Sequence, residues 1–471
     1  MASLVQVPGM KAEIPTPSRH RRGDTQPGYA KDLAAELSPK IEGEVRFDDG
    51  SRALYSTDGS NYRQAPIGIV VPRSIEDIIQ TMAKCREYGA PILARGGGTS
   101  LTGNCCNVAV VIDHSKYMRD VLDLDSRKKE ARVQPGVVLD DLRNRAEQYH
   151  LTFAPDPATH SHNTLGGMLG NNSCGIHSVM AGKTEENTIE LDVLTYDGLR
   201  MRVGKTSDEE LERIIREGGR RGEIYAGMKR IVDKHADLIR ARYPKIPRRV
   251  SGYNLPSLLP ENGFDMAKFL VGSECTLVYI LEATLRLVYS PPARTLLVLG
   301  YPTIYEVADH VMEVLESRPL ALEGVDQRLA ENMKKKGLNL EDIQYLPEGG
   351  GWLYLEFGGE NKKEADGRAR ELMAKLTKQR HSPTMRLYDD KAREDRAWEI
   401  RESGLGAIFF PISMTAIASP SRPSRLASSF RTRRSATSRR RFGARRKFMS
   451  IASTTPSCDS KRRTPCSRAW G

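Results

Sequence analysis

Helical and strand-like periodicity of apolar positions extends from about residue 41 to about residue 405. Ser74 is a candidate N-cap for a helix whose apolar stripe runs from Ile75 to Met82, and Gly89 is placed to end it. The pattern therefore predicts an α+β protein. The other predicted elements are strands at 91–94, 108–112, 131–136, 189–198 and 276–289, a helix at 139–149, and a helix that begins at a Ser207–Glu210 capping box.

A break at Pro291-Pro292 separates this pattern from two shorter strand–helix units, which predict a second domain. We predict four parts. They are a loosely held lead-in over 1–40, a first domain over 41–290, a second and incomplete α/β domain of ferredoxin-like type over 291–405, and a disordered basic tail over 406–471.

The net charge of +12 comes from the tail. Residues 406–471 hold 15 Lys or Arg and one Asp, which leaves 57 basic and 59 acidic residues in 1–405. At 39% apolar and 28% charged residues, the composition is that of a globular protein. No apolar run approaches the ~18–20 residues of a membrane span, the N-terminus lacks a secretory core, and the seven cysteines form no CxxC pair. These features predict a protein of a reducing compartment, cytoplasmic or peripheral to the inner face of the membrane.

A glycine-rich loop, RGGGTSLTG, occupies residues 95–103. Successive glycines allow several backbone N–H groups to point into one concavity, which suits a pyrophosphate. Asn104 replaces the lysine of a Walker loop, and Leu101 replaces a glycine of the dinucleotide fingerprint. Spacing alone leaves a tight surface turn open as the alternative.

A second glycine-rich segment, PDPATHSHNTLGGMLGNNSCGIHSVMAGKT, covers residues 155–184. So long a polar segment inside a domain must satisfy its backbone groups, and a large flat ligand would do so. His160 and His162 have no ligand-spaced partners nearby, so no metal is predicted there. A third turn, GSECT, begins at Gly272.

These three motifs, in this order, resemble the FAD-binding half of the vanillyl-alcohol-oxidase and para-cresol-methylhydroxylase superfamily. The chain is most similar to FAD-linked D-2-hydroxyacid dehydrogenases that act on D-lactate, glycolate or D-2-hydroxyglutarate. HSVMAGKT, RRVSGYNLPSLLPENGF and LPEGGGWLYLEFGG resemble the long bacterial form, which is fused to an iron–sulfur domain. The resemblance implies a PCMH-type FAD-binding domain of two subdomains over 41–290 and a partial oxidase cap over 291–405.

The resemblance also implies the site residues. It implies non-covalent FAD, because Gly98 occupies the region where covalent relatives carry a histidine, and it implies that Arg401 in the Trp398–Arg401 element holds the substrate carboxylate. From pattern alone, Arg401 is better explained as a solvated residue on the surface of a charged helix. The implied FAD ligands are Arg95, Gly96, Gly97, Gly98, Thr99, Ser100, Leu101, Thr102, Gly103, Asp156, Pro157, Thr164, Gly167, Asn171, Asn172, Gly175, Ser178, Ile189, Val193, Gly272, Glu274 and Thr276.

The catalytic histidine of the family, often placed beside a divalent metal, has no counterpart here, because the last histidine is His381. We hypothesise that a frameshift replaced the family sequence from about residue 406. We therefore expect FAD binding with impaired turnover, no metal in this chain, and an iron–sulfur cluster and metal only in a full-length parent. The expected partners are a small 2-hydroxy acid and an external electron acceptor. The alternatives are an NADPH-dependent reductase on the same fold, or a protein that binds polyanions through its tail, although a nucleic-acid partner is not expected.

Overall fold

The computed structural model describes residues 26–338, 343, 345–388 and 390–409, so the predictions for 1–25 and for the tail from 410 lie outside the described residues. Within the described residues, no helix is long and apolar enough to cross a membrane. The first subdomain contains a four-stranded sheet of order β1-β2-β4-β3, in which β1 is antiparallel and the other strands are parallel. Its elements are α1 (Ala30–Leu37), β1 (Glu44–Arg46), α2 (Asp49–Leu54), β2 (Gly68–Val71), α3 (Ile75–Glu87), β3 (Ile92–Arg95) and β4 (Val110–Asp113).

The predicted lead-in over 1–40 is wrong in its last part. Leu33 and Leu37 of α1 are fully buried and pack with Cys85 and Val110, because α1 covers one face of the sheet. The prediction for α3 is confirmed: the Ser74 hydroxyl accepts the Asp77 N–H at 3.2 Å.

The second subdomain surrounds an antiparallel five-stranded sheet of order β5-β6-β10-β8-β9, with helices on its buried face. The side pair β7–β11 lies beside α4. Ser207 caps α7, but the side chain of Glu210 binds Arg213 instead of returning to the cap, so the capping box is only half formed. The elements are β5 (Val121–Asp125), β6 (Glu130–Val133), α4 (Leu139–Glu147), β7 (Leu151–Thr152), α5 (Leu165–Asn171), α6 (Ser178–Ala181), β8 (Thr188–Leu194), β9 (Arg200–Val203), α7 (Asp208–Glu217), α8 (Gly219–Arg242), α9 (Met266–Leu270), β10 (Tyr279–Arg286) and β11 (Val288–Tyr289).

The C-terminal domain is a four-stranded antiparallel sheet of order β13-β14-β12-β15 with apolar clusters on both faces. Because both faces are covered, all nine residues of β14 are buried. Its elements are β12 (Ala293–Tyr301), α10 (Ile304–Leu315), β13 (Ala321–Asp326), α11 (Gln327–Lys336), β14 (Gly351–Gly359), α12 (Lys362–Thr377), β15 (Thr384–Tyr388) and α13 (Lys391–Phe409).

Candidate functional site

The glycine-rich loop at 96–103 leaves the end of β3 and is held from behind by the segment 55–59. Arg95 donates hydrogen bonds to the carbonyl oxygens of Tyr55, Thr57 and Cys105 at 3.3, 2.8 and 3.1 Å. The carboxylate of Asp58 accepts the Cys105 N–H at 3.1 Å. The back of the loop is therefore tied to the protein, and its front remains available.

The front of this loop faces the 155–184 segment across a cleft of about 350 Å³. The backbones of these two segments approach so closely that only glycine fits at positions 96 and 97. A Cβ on Gly96 would lie 1.9 Å from Thr164 Oγ1, and one on Gly97 would lie 2.2 Å from the His162 carbonyl oxygen. A smaller, more apolar cavity of about 80 Å³ continues from the cleft, and its walls include Leu93, Val278 and Ile280. The volume of the cleft alone falls within the range of ligand pockets, ~300–1,000 Å³.

Two features of the cleft fit a ligand with a pyrophosphate and a polar ring. The backbone N–H groups of Gly97, Gly98, Thr99 and Leu101 make no hydrogen bond to any described residue, although these residues line the cleft. The side-chain oxygen of Asn163 is buried in the cleft wall and also finds no partner within the described structure. Buried polar groups are rarely left unpaired, so the Asn163 oxygen indicates a group that a bound molecule would satisfy. The loop amides belong to exposed or half-buried residues and are open to an anionic ligand in the cleft.

The third motif lies at the mouth of the cleft. The Glu274 carboxylate accepts a hydrogen bond of 2.9 Å from the Asn104 side chain, which joins the two subdomains. Glu274 and Cys275 both have positive φ, of 51° and 59°. Left-handed backbone at two successive non-glycine residues costs about 1 kcal/mol or more each and is concentrated at functional sites.

The structure brings many of the predicted FAD ligands together and separates others. Gly103 packs against the Tyr62 ring, and the Asn172 side chain is buried on Glu185. On β8, Ile189 is exposed and Val193 lies in the core. The predicted residues that line the cleft or its apolar extension are Arg95, Gly96, Gly97, Gly98, Thr99, Ser100, Leu101, Thr102, Pro157, Thr164, Gly167, Asn171 and Glu274.

The remaining predicted ligands lie beside the cleft in structural roles. The Gly272 N–H donates to the Leu169 carbonyl oxygen, and the Thr276 hydroxyl donates to Ser273. The Gly175 N–H donates to the Ser178 hydroxyl at 2.9 Å, and a Cβ on Gly175 would collide with the backbone of Asp156. These residues shape the loops around the cleft without lining it.

Arg401 lies in a second cavity, of about 370 Å³, between the first and the C-terminal domain. Its side chain is 13% exposed, and its guanidinium group lies 3.5 Å from a carboxylate oxygen of Glu323. Arg401 is therefore not a solvated residue on the helix surface. Trp398 lies in the same wall and contacts the Tyr354 ring. The lining residues are Arg143, Asp156, His160, Ile176, His177, Arg294, Glu356, Lys391, Asp395, Trp398, Glu399, Arg401 and Glu402.

His177 is nearly fully buried in the wall of this cavity, and no sequence motif singled it out. Its Nδ1 lies 2.6 Å from Asp156 Oδ2 and its Nε2 lies 2.9 Å from Glu356 Oε1. Arg294 donates to the same Glu356 oxygen at 3.0 Å. Burial opposes the charged imidazolium, but the carboxylates of Asp156 and Glu356 outweigh it and raise the pKa of His177 to about 9. Burial also opposes the Glu356 carboxylate, yet His177 and Arg294 lower the pKa of Glu356 to about 2.

His160 forms a similar bridge at the other end of the cavity. Its Nδ1 lies 2.7 Å from Asp140 and its Nε2 lies 3.1 Å from Glu402. Hydrogen bonds to Asp140 and then Glu402 raise the pKa of His160 to about 9. Both imidazoles are therefore cations at neutral pH. Among the described residues, no cluster of three or more His, Cys, Asp or Glu side chains has metal-binding geometry.

One turn separates the two cavities. Pro157, Ala158 and Thr159 face the first cleft, whereas Asp156 and His160 on either side of them face the second cavity. The predicted flavin ligand Asp156 thus belongs to the Arg401 cavity. The turn places the two candidate sites back to back.

Comparison with known families assigns both domains. The FAD binding domain matches residues 66–204, and the C-terminal domain of FAD linked oxidases matches residues 290–420. The second match runs beyond the predicted boundary at 405, into residues outside the described structure. The boundary itself stays a prediction.

Similar proteins agree with this assignment. The chain is 28% identical over 357 residues to a D-2-hydroxyglutarate dehydrogenase of Pseudomonas putida, covering 74% of this chain and 36% of that protein. It is 28% identical over 303 residues to the glycolate oxidase subunit GlcD of Bacillus subtilis, covering 63% of this chain and 54% of that protein. The chain therefore spans just over a third of the P. putida protein and about half of the B. subtilis subunit.

Two solved structures share the fold. An alkyldihydroxyacetonephosphate synthase superposes with a TM-score of 0.55 at 18% identity, over 79% of this chain and 68% of that one. A p-cresol methylhydroxylase superposes with a TM-score of 0.55 at 14% identity, over 81% of this chain and 72% of that one.

Proposed function

This chain belongs to the FAD-linked oxidases of the vanillyl-alcohol-oxidase and p-cresol-methylhydroxylase superfamily, and from that premise we propose a function. It holds FAD non-covalently in the cleft between the 96–103 loop and the 155–184 segment. Its reaction is the oxidation of a small D-2-hydroxy acid to the 2-oxo acid, with the electrons passed to an external acceptor. The proposed location is the cytoplasm.

One observation carries this proposal: two glycine-rich segments far apart in the sequence form one cleft with unpaired backbone N–H groups. The free amides of Gly97, Gly98, Thr99 and Leu101 suit the pyrophosphate, and Asn163 offers a buried oxygen to a ring N–H or hydroxyl. FAD, when bound, supplies the hydride acceptor. The protein supplies the position and excludes water.

Arg401 binds the substrate carboxylate in the second cavity. Its long ion pair with Glu323, at 3.5 Å, leaves guanidinium N–H groups available for a bidentate contact. Arg143, whose nearest carboxylate oxygen is 3.6 Å away on Asp140, can hold a second polar group of the acid. The relatives named for D-2-hydroxyglutarate and glycolate support a 2-hydroxy acid as the substrate class.

Turnover is expected to be slow. Oxidation requires a base that accepts the hydroxyl proton, and the two imidazoles of the cavity are held as cations by paired carboxylates. The histidine that serves this purpose in the family has no counterpart after His381. We therefore propose a chain that binds FAD and the acid but reacts slowly.

A flavin spectrum tests these points separately. The purified chain should contain flavin, and denaturation should release this flavin because it is bound non-covalently. D-lactate or D-2-hydroxyglutarate should perturb the flavin absorbance of the folded chain without bleaching it within seconds. Arg401→Lys should lower the affinity for the hydroxy acid about tenfold, because lysine lacks the planar, two-pronged guanidinium group. The affinity for FAD should be unchanged. Rapid bleaching would contradict the slow turnover, and a chain that binds no flavin would contradict the function.

A further inference from the structure

Two histidines of the first domain each bind a carboxylate of the C-terminal domain. His177 joins Asp156 to Glu356 of β14, and His160 joins Asp140 of α4 to Glu402 of α13. We propose that His177 and His160 are positioning residues that hold the C-terminal domain, and Arg401 with it, at a fixed place beside the 155–184 segment. The consequence for the substrate rests on the proposed function of Arg401, whereas the docking of the domains does not.

The burial of the His177 bridge distinguishes it from an ordinary surface contact. His177, Asp156 and Glu356 are each at most 5% exposed. The His177 backbone N–H adds a bond of 2.9 Å to Asp156 Oδ1, so this carboxylate fixes both the ring and the chain. Removal of one partner would leave an uncompensated buried charge, which is strongly destabilising for the closed arrangement.

A direct backbone contact lies next to this bridge. The Leu322 N–H of β13 donates to the Ile176 carbonyl oxygen at 3.3 Å, one residue before His177. Helix α6, which begins at Ser178, contacts β13 at the same place. Because a hydrogen bond between two domains is lost as soon as they separate, the Leu322 amide reports directly on docking.

The His160 bridge acts on the helix that carries Arg401. Glu402 is the residue after Arg401, and its carboxylate lies 3.1 Å from His160 Nε2. Asp140, on the other side of the ring, fixes His160 to the first domain at 2.7 Å. This bridge therefore sets the position of α13 at the point where the substrate carboxylate would bind.

The pH dependence of the His177 bridge follows from the groups that face it. Asp156 and Glu356 stabilise the imidazolium, and Arg294 pairs with Glu356. The other groups that interact with Glu356 are Arg143, Lys391 and the buried carboxyl group of Glu394. Since the folded pKa of His177 is raised, docking should be strongest below about pH 6.5 and weaken as pH rises through about 9.

Hydrogen exchange on the full chain with FAD tests the proposal. His177→Asn should raise the exchange rate of the Leu322 amide about tenfold or more, with amides inside the β12–β14 pair unchanged. Glu356→Gln, which keeps the shape and removes one charge, should have the same effect to a smaller extent. His310→Asn is the matched control, because that ring pairs with Glu313 of its own helix and stacks on Tyr301 in the same domain.

Two further measurements separate positioning from general stability. After correction for intrinsic exchange, Leu322 protection in the unaltered chain should fall as pH rises through about 9, whereas His177→Asn should show no such step. The dissociation constant of D-lactate, from flavin absorbance, should rise about tenfold in His177→Asn and in His160→Asn, with that of FAD changed less than about twofold.

Unchanged Leu322 exchange in both His177→Asn and Glu356→Gln would overturn the proposal. The exchange experiment also runs on a chain without flavin. Absence of FAD would therefore contradict the proposed function and leave the docking test intact.

Discussion

The cleft proposed to hold the cofactor and the Arg401 cavity lie on opposite sides of one turn, and they are built in different ways. The cleft is made mainly of backbone: closely approaching glycines, unpaired N–H groups and one unpaired amide oxygen. The cavity is made of charged side chains from both domains, paired in buried networks. A backbone site depends on steric fit, whereas a site of paired charges depends on pH and on how the domains dock.

Gly97→Ala gives the largest expected effect and tests the steric half of this comparison. The new Cβ would lie 2.2 Å from the backbone oxygen of His162, which cannot rotate away, so the two glycine segments must separate. We expect FAD binding to fall at least about a hundredfold in a flavin-fluorescence titration. Gly367→Ala, in α12 with nothing within 4 Å of the new Cβ, is the control and should leave binding unchanged. Equal affinity in both variants would show that the close approach does not matter.

The pH dependence of unfolding tests the electrostatic half. His177 has a pKa raised from 6.5 to about 9, so its contribution is complete below pH 6.5 and is lost as pH rises through about 9. Urea unfolding should show the unaltered chain more stable than His177→Asn by about 3 kcal/mol at pH 6, with this difference nearly gone above pH 9. A difference independent of pH would mean that shape, not charge, makes the bridge stable.

Asn163→Ala should have the smallest effect on stability. It distinguishes a side-chain amide that binds the ligand from one that stabilises the fold. Because its side-chain oxygen has no partner among the described residues, its removal should cost FAD affinity about tenfold and change the free energy of unfolding by less than about 0.5 kcal/mol. Asn187→Ala is the opposite control. Its amide donates to the carbonyl oxygens of Ala181 and Lys183, so it should lose about 1–3 kcal/mol of stability. Stability loss without loss of FAD affinity in Asn163→Ala would assign its side chain to the fold.

Local structure followed from local sequence in much of the chain. Ser74 and Ser207 cap the helices that they were predicted to cap, because an N-cap bond spans only three residues. The lead-in was misjudged, because the burial of Leu33 and Leu37 depends on a sheet that forms from later residues. The glycine-rich loops could also be recognised, because positions where two backbones approach closely require glycine, and clustered glycines are visible in the sequence.

The α+β class, the resemblance to FAD-linked oxidases and the glycine-rich segments of the cleft could be predicted from the sequence, because turns, caps and glycine-rich loops are local. The tertiary structure was needed to show which predicted ligands meet, as in the separation of Val193 and Asn172 from the cleft. It also decided that Asp156, His177 and Glu356 form one charged network across 200 residues. Such a network depends on the docking of two domains. Docking is governed by packing between residues far apart in the sequence, so residue spacing does not predict it.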